Sequence, residues 1–223
     1  MGLKLEVVDD ANAAAARTAQ LVAEAGAEAV RARGTYGFAV SGGRTPWRMI
    51  SILADEPLPW DGTSIYQVDE RVAAPGSQER NLTHLISMLP MERQQVLRPM
   101  PVTSRDLEAA AGEYESALPE SLDLVHLGLG PDGHTASLVP GDPVLEVTDR
   151  RVALTAHPYQ GHRRMTLTYP ALSAARGIVW LVTGEDKREA LQRLLDGDTT
   201  IPAGRVENER ITVIADSAAA PAV

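Results

Sequence analysis

The sequence contains no cysteine. That absence excludes disulfides, thiolate metal sites and cysteine nucleophiles together, and it fits a reducing compartment. Aromatic residues are scarce, at 4% with a single Phe, so Ala and aliphatic side chains must fill most of the core. No apolar run approaches the roughly 18 residues of a membrane-crossing helix. The opening MGLKLEVVDD is not a signal peptide, because Lys4, Glu6, Asp9 and Asp10 interrupt its short apolar run. A cytoplasmic protein is expected. Positive charge is also short, with 21 Lys and Arg against 30 Asp and Glu and a net charge of −9. No basic stripe offsets that balance, so nucleic acid is not an expected partner. The same balance opposes a phosphorylated substrate, although salt screens the field within about 8 Å. A local cluster of Arg or Lys must then do the binding.

What is present is an ordinary globular composition, 44% hydrophobic and 23% charged over 223 residues, and a single domain over 1–223 is expected. Residues 4–8 alternate like a strand. Residues 10–33 are Ala-rich with Glu and Arg and read as a long helix. Asp9, Asp10 or Asn12 would cap it, and Gly34 would stop it. Further strands are expected over 36–40, 64–68, 122–127, 177–182 and 211–215. Residues 151–155 and 164–168 read as a further strand pair, antiparallel to each other. Helices are expected over 46–53, 81–88, 106–117 and 187–195. Strands alternating with helices predict an α/β fold: a mostly parallel sheet with helices on both faces, Rossmann-like, with a small antiparallel element. Ligands bind such sheets at the carboxyl ends of the strands, and here polar residues follow Val40, Val68, Leu127 and Val182.

Four constellations carry candidate chemistry. In the first, Ser41-Gly42-Gly43-Arg44-Thr45-Pro46, a strand runs through two glycines into a helix. Backbone N–H groups and the helix N-terminus there suit an anion, but a plain tight turn has the same sequence. The spacing is not that of a Walker A loop. The second, Asp69-Glu70-Arg71, follows a strand. Alone it reads first as solvated charge; functionally, Asp69 would accept from sugar hydroxyls and Arg71 would hold a phosphate.

The third is Gly128-Leu129-Gly130-Pro131-Asp132-Gly133-His134. It formally matches G-x-G-x-x-G. However, Pro131 and Asp132 stand where a dinucleotide loop opens its helix, and Asp132 would repel a pyrophosphate. His134 beside Asp132 instead offers a general base with a carboxylate to orient it or favour its charged form. A surface His in a Gly-rich turn is the simpler alternative. The fourth is Arg164 with Lys187. A Lys at a helix start opposes the helix dipole, which hints at an anionic partner, though a surface pair explains it equally. His126, His134, His157 and His162 fall at no usual zinc spacing, and no G-x-S-x-G elbow is present.

Taken in order, SGGRTP, DER with Asn81 after it, GLGPDGHTASLVPG, Arg164-Met165-Thr166 and Gly184-x-x-Lys187 resemble the 6-phosphogluconolactonases of the glucosamine-6-phosphate isomerase/6-phosphogluconolactonase superfamily. The resemblance runs over about 41–216. It implies hydrolysis of 6-phospho-D-glucono-1,5-lactone to 6-phosphogluconate, in the oxidative pentose phosphate pathway. His134 would activate water with the support of Asp132. Ser41, Gly42, Gly43, Arg44, Thr45, Arg71, Arg164 and Lys187 would hold the phosphate and sugar, with Asp69 and Asn81 lining the site. No metal or organic cofactor is implied. The partner would be a small phosphorylated sugar lactone, acted on by a monomer or small homo-oligomer. The N–H groups around 130–133 are candidates to stabilise an oxyanion.

Two rival readings remain. The superfamily's amino-sugar phosphate isomerases carry a motif like G-H-I-A-F-N-E-P, whose Glu handles protons. Val139 stands at that position here and has no proton to give. A non-catalytic sugar-phosphate binding module would keep the cations but would not need His134. The chain departs from the lactonase pattern after DER, where Ala73 and Ala74 replace Val and Pro.

Overall fold

The computed structural model describes residues 2–221. Strand β1 (Gly2–Val8) leads into helix α1 (Ala11–Arg33). Asp10 is the cap used, its carboxylate accepting from the Ala13 N–H at 2.8 Å, and the Gly34 N–H closes the helix on the Val30 carbonyl at 2.8 Å. Then follow β2 (Tyr36–Val40), α2 (Arg44–Leu53), β3 (Thr63–Gln67), β4 (Asp69–Arg71), α3 (Asn81–Met88) and the two-residue β5 (Leu97–Arg98). The second half holds α4 (Leu107–Ala117), β6 (Leu124–Leu127), β7 (Val152–Leu154), β8 (Arg164–Leu167), the short α5 (Tyr169–Ser173), β9 (Ile178–Val182), α6 (Arg188–Leu195) and β10 (Arg210–Asp216).

Seven strands form a parallel sheet in the order β1-β10-β9-β6-β2-β3-β5. Its apolar strands alternate between two cores. Phe38, Val40, Ile65, Val179, Leu181 and Ile214 face α1, α2 and α3. Ala39, Tyr66, Val125, Trp180, Val182 and Val213 face α4, α6 and a second, smaller sheet. Both faces are therefore covered, as a parallel sheet requires. No described helix is long and apolar enough to cross a membrane.

The small sheet runs β4-β8-β7, antiparallel throughout, so the expected antiparallel pair is there and gains a third strand. That third strand corrects the expectation for Asp69-Glu70-Arg71. These residues are not a loop past a strand; they are β4, with Asp69 paired to Thr166 and Arg71 to Arg164. Three charged residues in a row defeat the hydrophobic-alternation signal that identifies strands. Helix α2 starts at Arg44 rather than Pro46, and α6 starts at Arg188, after a single 3₁₀ turn over Glu185–Lys187.

Strand order fixes where a ligand can enter. From β2 the chain moves outward to β3 and β5; β6 lies on the other side of β2 and continues to β9 and β10. The loops leaving β2 and β6 therefore diverge, and a crevice opens between them at the carboxyl ends.

Candidate active site

That crevice is a cavity of about 180 Å³. Of the residues expected at a site, Ser41, Gly42, Gly43, Asp69, Arg71, Asn81, His134, Arg164 and Lys187 line it, joined by Gly130, Ala136 and Gln160. Thus five chain segments, over 41–43, 69–81, 128–136, 160–164 and at Lys187, meet in one place. Arg44, Thr45 and Asp132 do not line it. Arg44 is exposed at the first position of α2. The Thr45 hydroxyl lies 2.8 Å from that of Thr183, tying the start of α2 to the end of β9. Asp132 stands behind His134.

The loop after β6 is built to present His134. It closes on itself through the Gly130 N–H to the His134 carbonyl at 2.8 Å and the Gly133 N–H to the Gly130 carbonyl at 3.0 Å. His134 Nδ1 is 2.5 Å from Asp132 Oδ1. An ionised carboxylate only accepts, so Nδ1 carries the proton and Nε2 keeps the ring's lone pair. Burial pushes the Asp132 carboxyl up, but the hydrogen bonds and charge of His134 outweigh it, and the net shift is downward. A side chain at Gly130 would strike both the imidazole and the Asp132 carboxylate, so the pair needs glycine beneath it. The same closure uses the N–H groups of Gly130 and Gly133. They are not available to an oxyanion, contrary to the expectation from the Gly density.

Strand β4 explains the acidic residues. Alternation sends Asp69 and Arg71 to the cleft and Glu70 to the interior. Glu70 is fully buried and accepts from the N–H groups of Arg71, Asn81 and Leu82, each at 2.8 Å, and from Gln67 Nε2 at 2.9 Å. Arg80 Nε stands 3.5 Å away. Helix α3 has no side-chain cap of its own at Arg80, so Glu70 fills that role from a neighbouring strand and complements the helix dipole. Asn81 is fixed as a result. Its Nδ2 donates to the Asp69 carbonyl at 3.0 Å, and its Oδ1 occupies the space a side chain at Gly42 would need. Asp69 Oδ2 accepts from the Ser137 hydroxyl at 2.6 Å and lies 3.8 Å from Arg164 Nη1.

The cations come from three elements. Arg71 Nη1 donates to the Glu79 carbonyl at 2.8 Å. Arg164 is buried, and its Nη2 donates to the Tyr159 carbonyl at 3.3 Å and to Gln160 Oε1 at 3.2 Å. Burial pulls its pKa down while Asp69 opposes the shift. Lys187 Nζ stands 3.2 Å from Asp186 Oδ2 at the edge of the cleft. The N–H groups of Gly42 and Gly43 have no partner among the described residues, so they remain open to an anion.

Some site features escaped the sequence. Tyr159 and Gln160 sit on the β7–β8 connection, which the Gly161 turn signal could have marked as a hairpin tip. Ala136 and Gln160 are the non-glycine residues with positive φ among those described, at 52° and 51°, and both line the cleft. Unfavourable backbone concentrated there is the usual mark of a functional constraint. Among the described residues, no group of three or more His, Cys, Asp or Glu is placed to hold a metal ion.

The family model for glucosamine-6-phosphate isomerases/6-phosphogluconolactonase matches residues 9–215. A 6-phosphogluconolactonase of Nostoc sp. is 31% identical over 204 residues, spanning 85% of this chain and 84% of that protein. One of Rattus norvegicus is 34% identical over 216 residues, spanning 86% and 82%. The crystal structure of a 6-phosphogluconolactonase from Shewanella baltica superposes with a TM-score of 0.87 at 26% identity, covering 97% of this chain and 98% of that one. A monomeric glucosamine-6-phosphate deaminase shares the fold, with a TM-score of 0.82 at 18% identity and coverage of 97% and 98%. The chain belongs to the glucosamine-6-phosphate isomerase/6-phosphogluconolactonase family.

Proposed function

We propose that this chain hydrolyses 6-phospho-D-glucono-1,5-lactone to 6-phosphogluconate, as a cytoplasmic enzyme of the oxidative pentose phosphate pathway, with His134 as the base. The observation that carries the reading is the imidazole at the cleft, its Nδ1 held by Asp132 at 2.5 Å, facing Arg71, Arg164 and Lys187 across the same cavity. Nε2 takes a proton from water as the water oxygen bonds to the lactone carbonyl carbon. The tetrahedral intermediate then expels the ring oxygen, which recovers the proton from the imidazolium. The product is the open-chain acid. Asp132 steadies the imidazolium between these transfers. General-base help of this kind is worth about 10²–10⁴ in rate.

The phosphate end binds away from the reacting carbon, at the free N–H groups of Gly42 and Gly43 and the cations Arg71, Arg164 and Lys187. Such remote binding energy holds the lactone in place for attack. These cations answer the −9 net charge, which otherwise opposes a phosphate ester. Asp69 and Asn81 line the sugar end. Since the N–H groups of Gly130 and Gly133 are engaged, the developing oxyanion relies on the N–H of Ala136, which lines the cleft and has no partner among the described residues.

Isomerisation of an amino-sugar phosphate is the second reading, favoured by the shared fold alone. Val139 is buried and apolar where that chemistry needs a carboxylate. The test is freshly generated 6-phosphogluconolactone, with spontaneous hydrolysis subtracted, run beside a glucosamine-6-phosphate deamination assay. Turnover in the first and none in the second is expected; the reverse would overturn the reading.

A further inference from the structure

The connection between β7 and β8 folds over the cleft as a hairpin. Tyr159 and His162 exchange backbone hydrogen bonds at 2.9 and 3.3 Å. Gln160 and Gly161 between them have φ of 51° and 85°. Two positive φ values in a two-residue loop make a type I′ turn, whose twist matches that of the flanking strands. The turn fixes where Tyr159 stands, and Tyr159 meets both halves of the site. Its ring lies edge-on to the His134 imidazole, with centroids 5.3 Å apart at 63°. Its hydroxyl donates to Asp132 Oδ2 at 3.4 Å and lies 3.5 Å from His134 Nδ1. Its ring also carries the Arg164 guanidinium at 5.1 Å, and its carbonyl accepts from Arg164 Nη2.

Resting on the reading of His134 as the base, we propose that Tyr159 is its positioning residue: its hydroxyl shares the Asp132 carboxylate with the imidazole, and its ring holds the imidazole plane. Asp132 has two oxygens and three donors, two of them from His134, its ring Nδ1 and its backbone N–H. Oδ1 serves His134 and Oδ2 serves Tyr159. Each hydrogen bond to a carboxylate disperses some of its charge, so the phenol weakens the pull of Asp132 on the imidazolium. Burial and the nearby Asp132 charge keep the phenol protonated, and therefore a donor. The Arg164 guanidinium lies over the same ring, so the phosphate end and the base share one residue. Arg71, Lys187 and Asp69 also face the cavity, and none is altered by removing the Tyr159 oxygen.

The test is Tyr159→Phe, which keeps the ring and its two stacking contacts and deletes only the hydroxyl. The His134 titration is read by NMR on histidine-labelled protein, and the acid limb of kcat/KM is read beside it. The expected result is an upward shift of the His134 pKa by about half a unit, a roughly threefold gain in proton affinity, with the acid limb of kcat/KM moving the same way. In an Asp132→Asn background the Tyr159→Phe change produces no further shift, because the carboxylate through which it acts is gone. No shift, a downward shift, or a shift persisting undiminished in the Asp132→Asn background would overturn the proposal. The NMR arm reads the ring directly, so it stands or falls separately from the lactonase assignment.

Discussion

Gly130 lies directly beneath the contact between His134 Nδ1 and Asp132 Oδ1, in the volume that any larger side chain would take from both. The pair and the glycine form one device: a short loop that turns back on itself and offers a ring nitrogen to the cleft.

Gly130→Ala therefore separates catalysis from folding. The added methyl displaces the imidazole or the carboxylate by more than an ångström. A misplacement of about 1 Å costs roughly 10²-fold in rate. The expected outcome is a kcat reduced by at least that factor with a small change in thermal unfolding, since the methyl strikes only the His134 and Asp132 side chains, which are half-buried and exposed and can swing outward. Wild-type kcat in this variant would show that the tight loop has no bearing on the base.

Glu70→Gln tests the buried carboxylate. Glu70 serves three backbone N–H groups and Gln67 together. An amide offers one acceptor oxygen and turns its NH₂ against donors. The expected loss is about 3 kcal/mol of unfolding free energy, measured by urea titration. The KM for the lactone also rises, because Asn81 and the start of α3 lose their anchor. A loss within experimental scatter of zero would contradict the helix-capping role.

His126 gives a pH signature. It lies fully buried on β6, where Nδ1 accepts from the Ser41 N–H at 3.4 Å, and burial lowers its pKa from 6.5 to about 3. The unfolded chain thus binds a proton near pH 6.5 that the folded chain refuses until about pH 3. Its contribution is fully present above pH 6.5 and is lost as pH falls toward 3, at about 1.4 kcal/mol per pH unit. Denaturation titrations across that window should show this slope, and His126→Gln should flatten it. An unaltered slope in the variant would assign the acid sensitivity to other groups.

Arg71→Ala and Lys187→Ala address the phosphate. Each is expected to raise KM for the phosphorylated lactone by at least tenfold while changing KM for unphosphorylated gluconolactone little. Equal effects on both substrates would move these cations away from the phosphate.

The parallel sheet was legible because its strands are uninterrupted apolar runs bounded by Gly and polar residues, and the helices because Ala-rich or amphipathic segments end at Asp and Gly. The site segments after β2, β6 and β9 were legible for the same reason: each follows an apolar strand of the parallel sheet. What stayed hidden depended on partners distant in sequence. Nothing local marks Asp69-Glu70-Arg71 as a strand, since its pairing comes from residues 164–166. Nothing local says that Glu70 is buried while Asp69 and Arg71 line the cleft, because that alternation exists only once the strand does. The Gly-rich loop looked like a source of free N–H groups, yet its tightness consumes them in its own turns. Thr45 reads as a phosphate ligand in the sequence and ties two elements together in the fold. Tyr159 drew no notice because its neighbours at the site come from other strands.

The most direct test of the account is the rate of 6-phosphogluconolactone hydrolysis by His134→Ala, with spontaneous hydrolysis subtracted and 6-phosphogluconate binding measured on the same sample. Turnover indistinguishable from background with product binding retained is the predicted result. Near-wild-type turnover in that variant would contradict the assignment of His134 as the base.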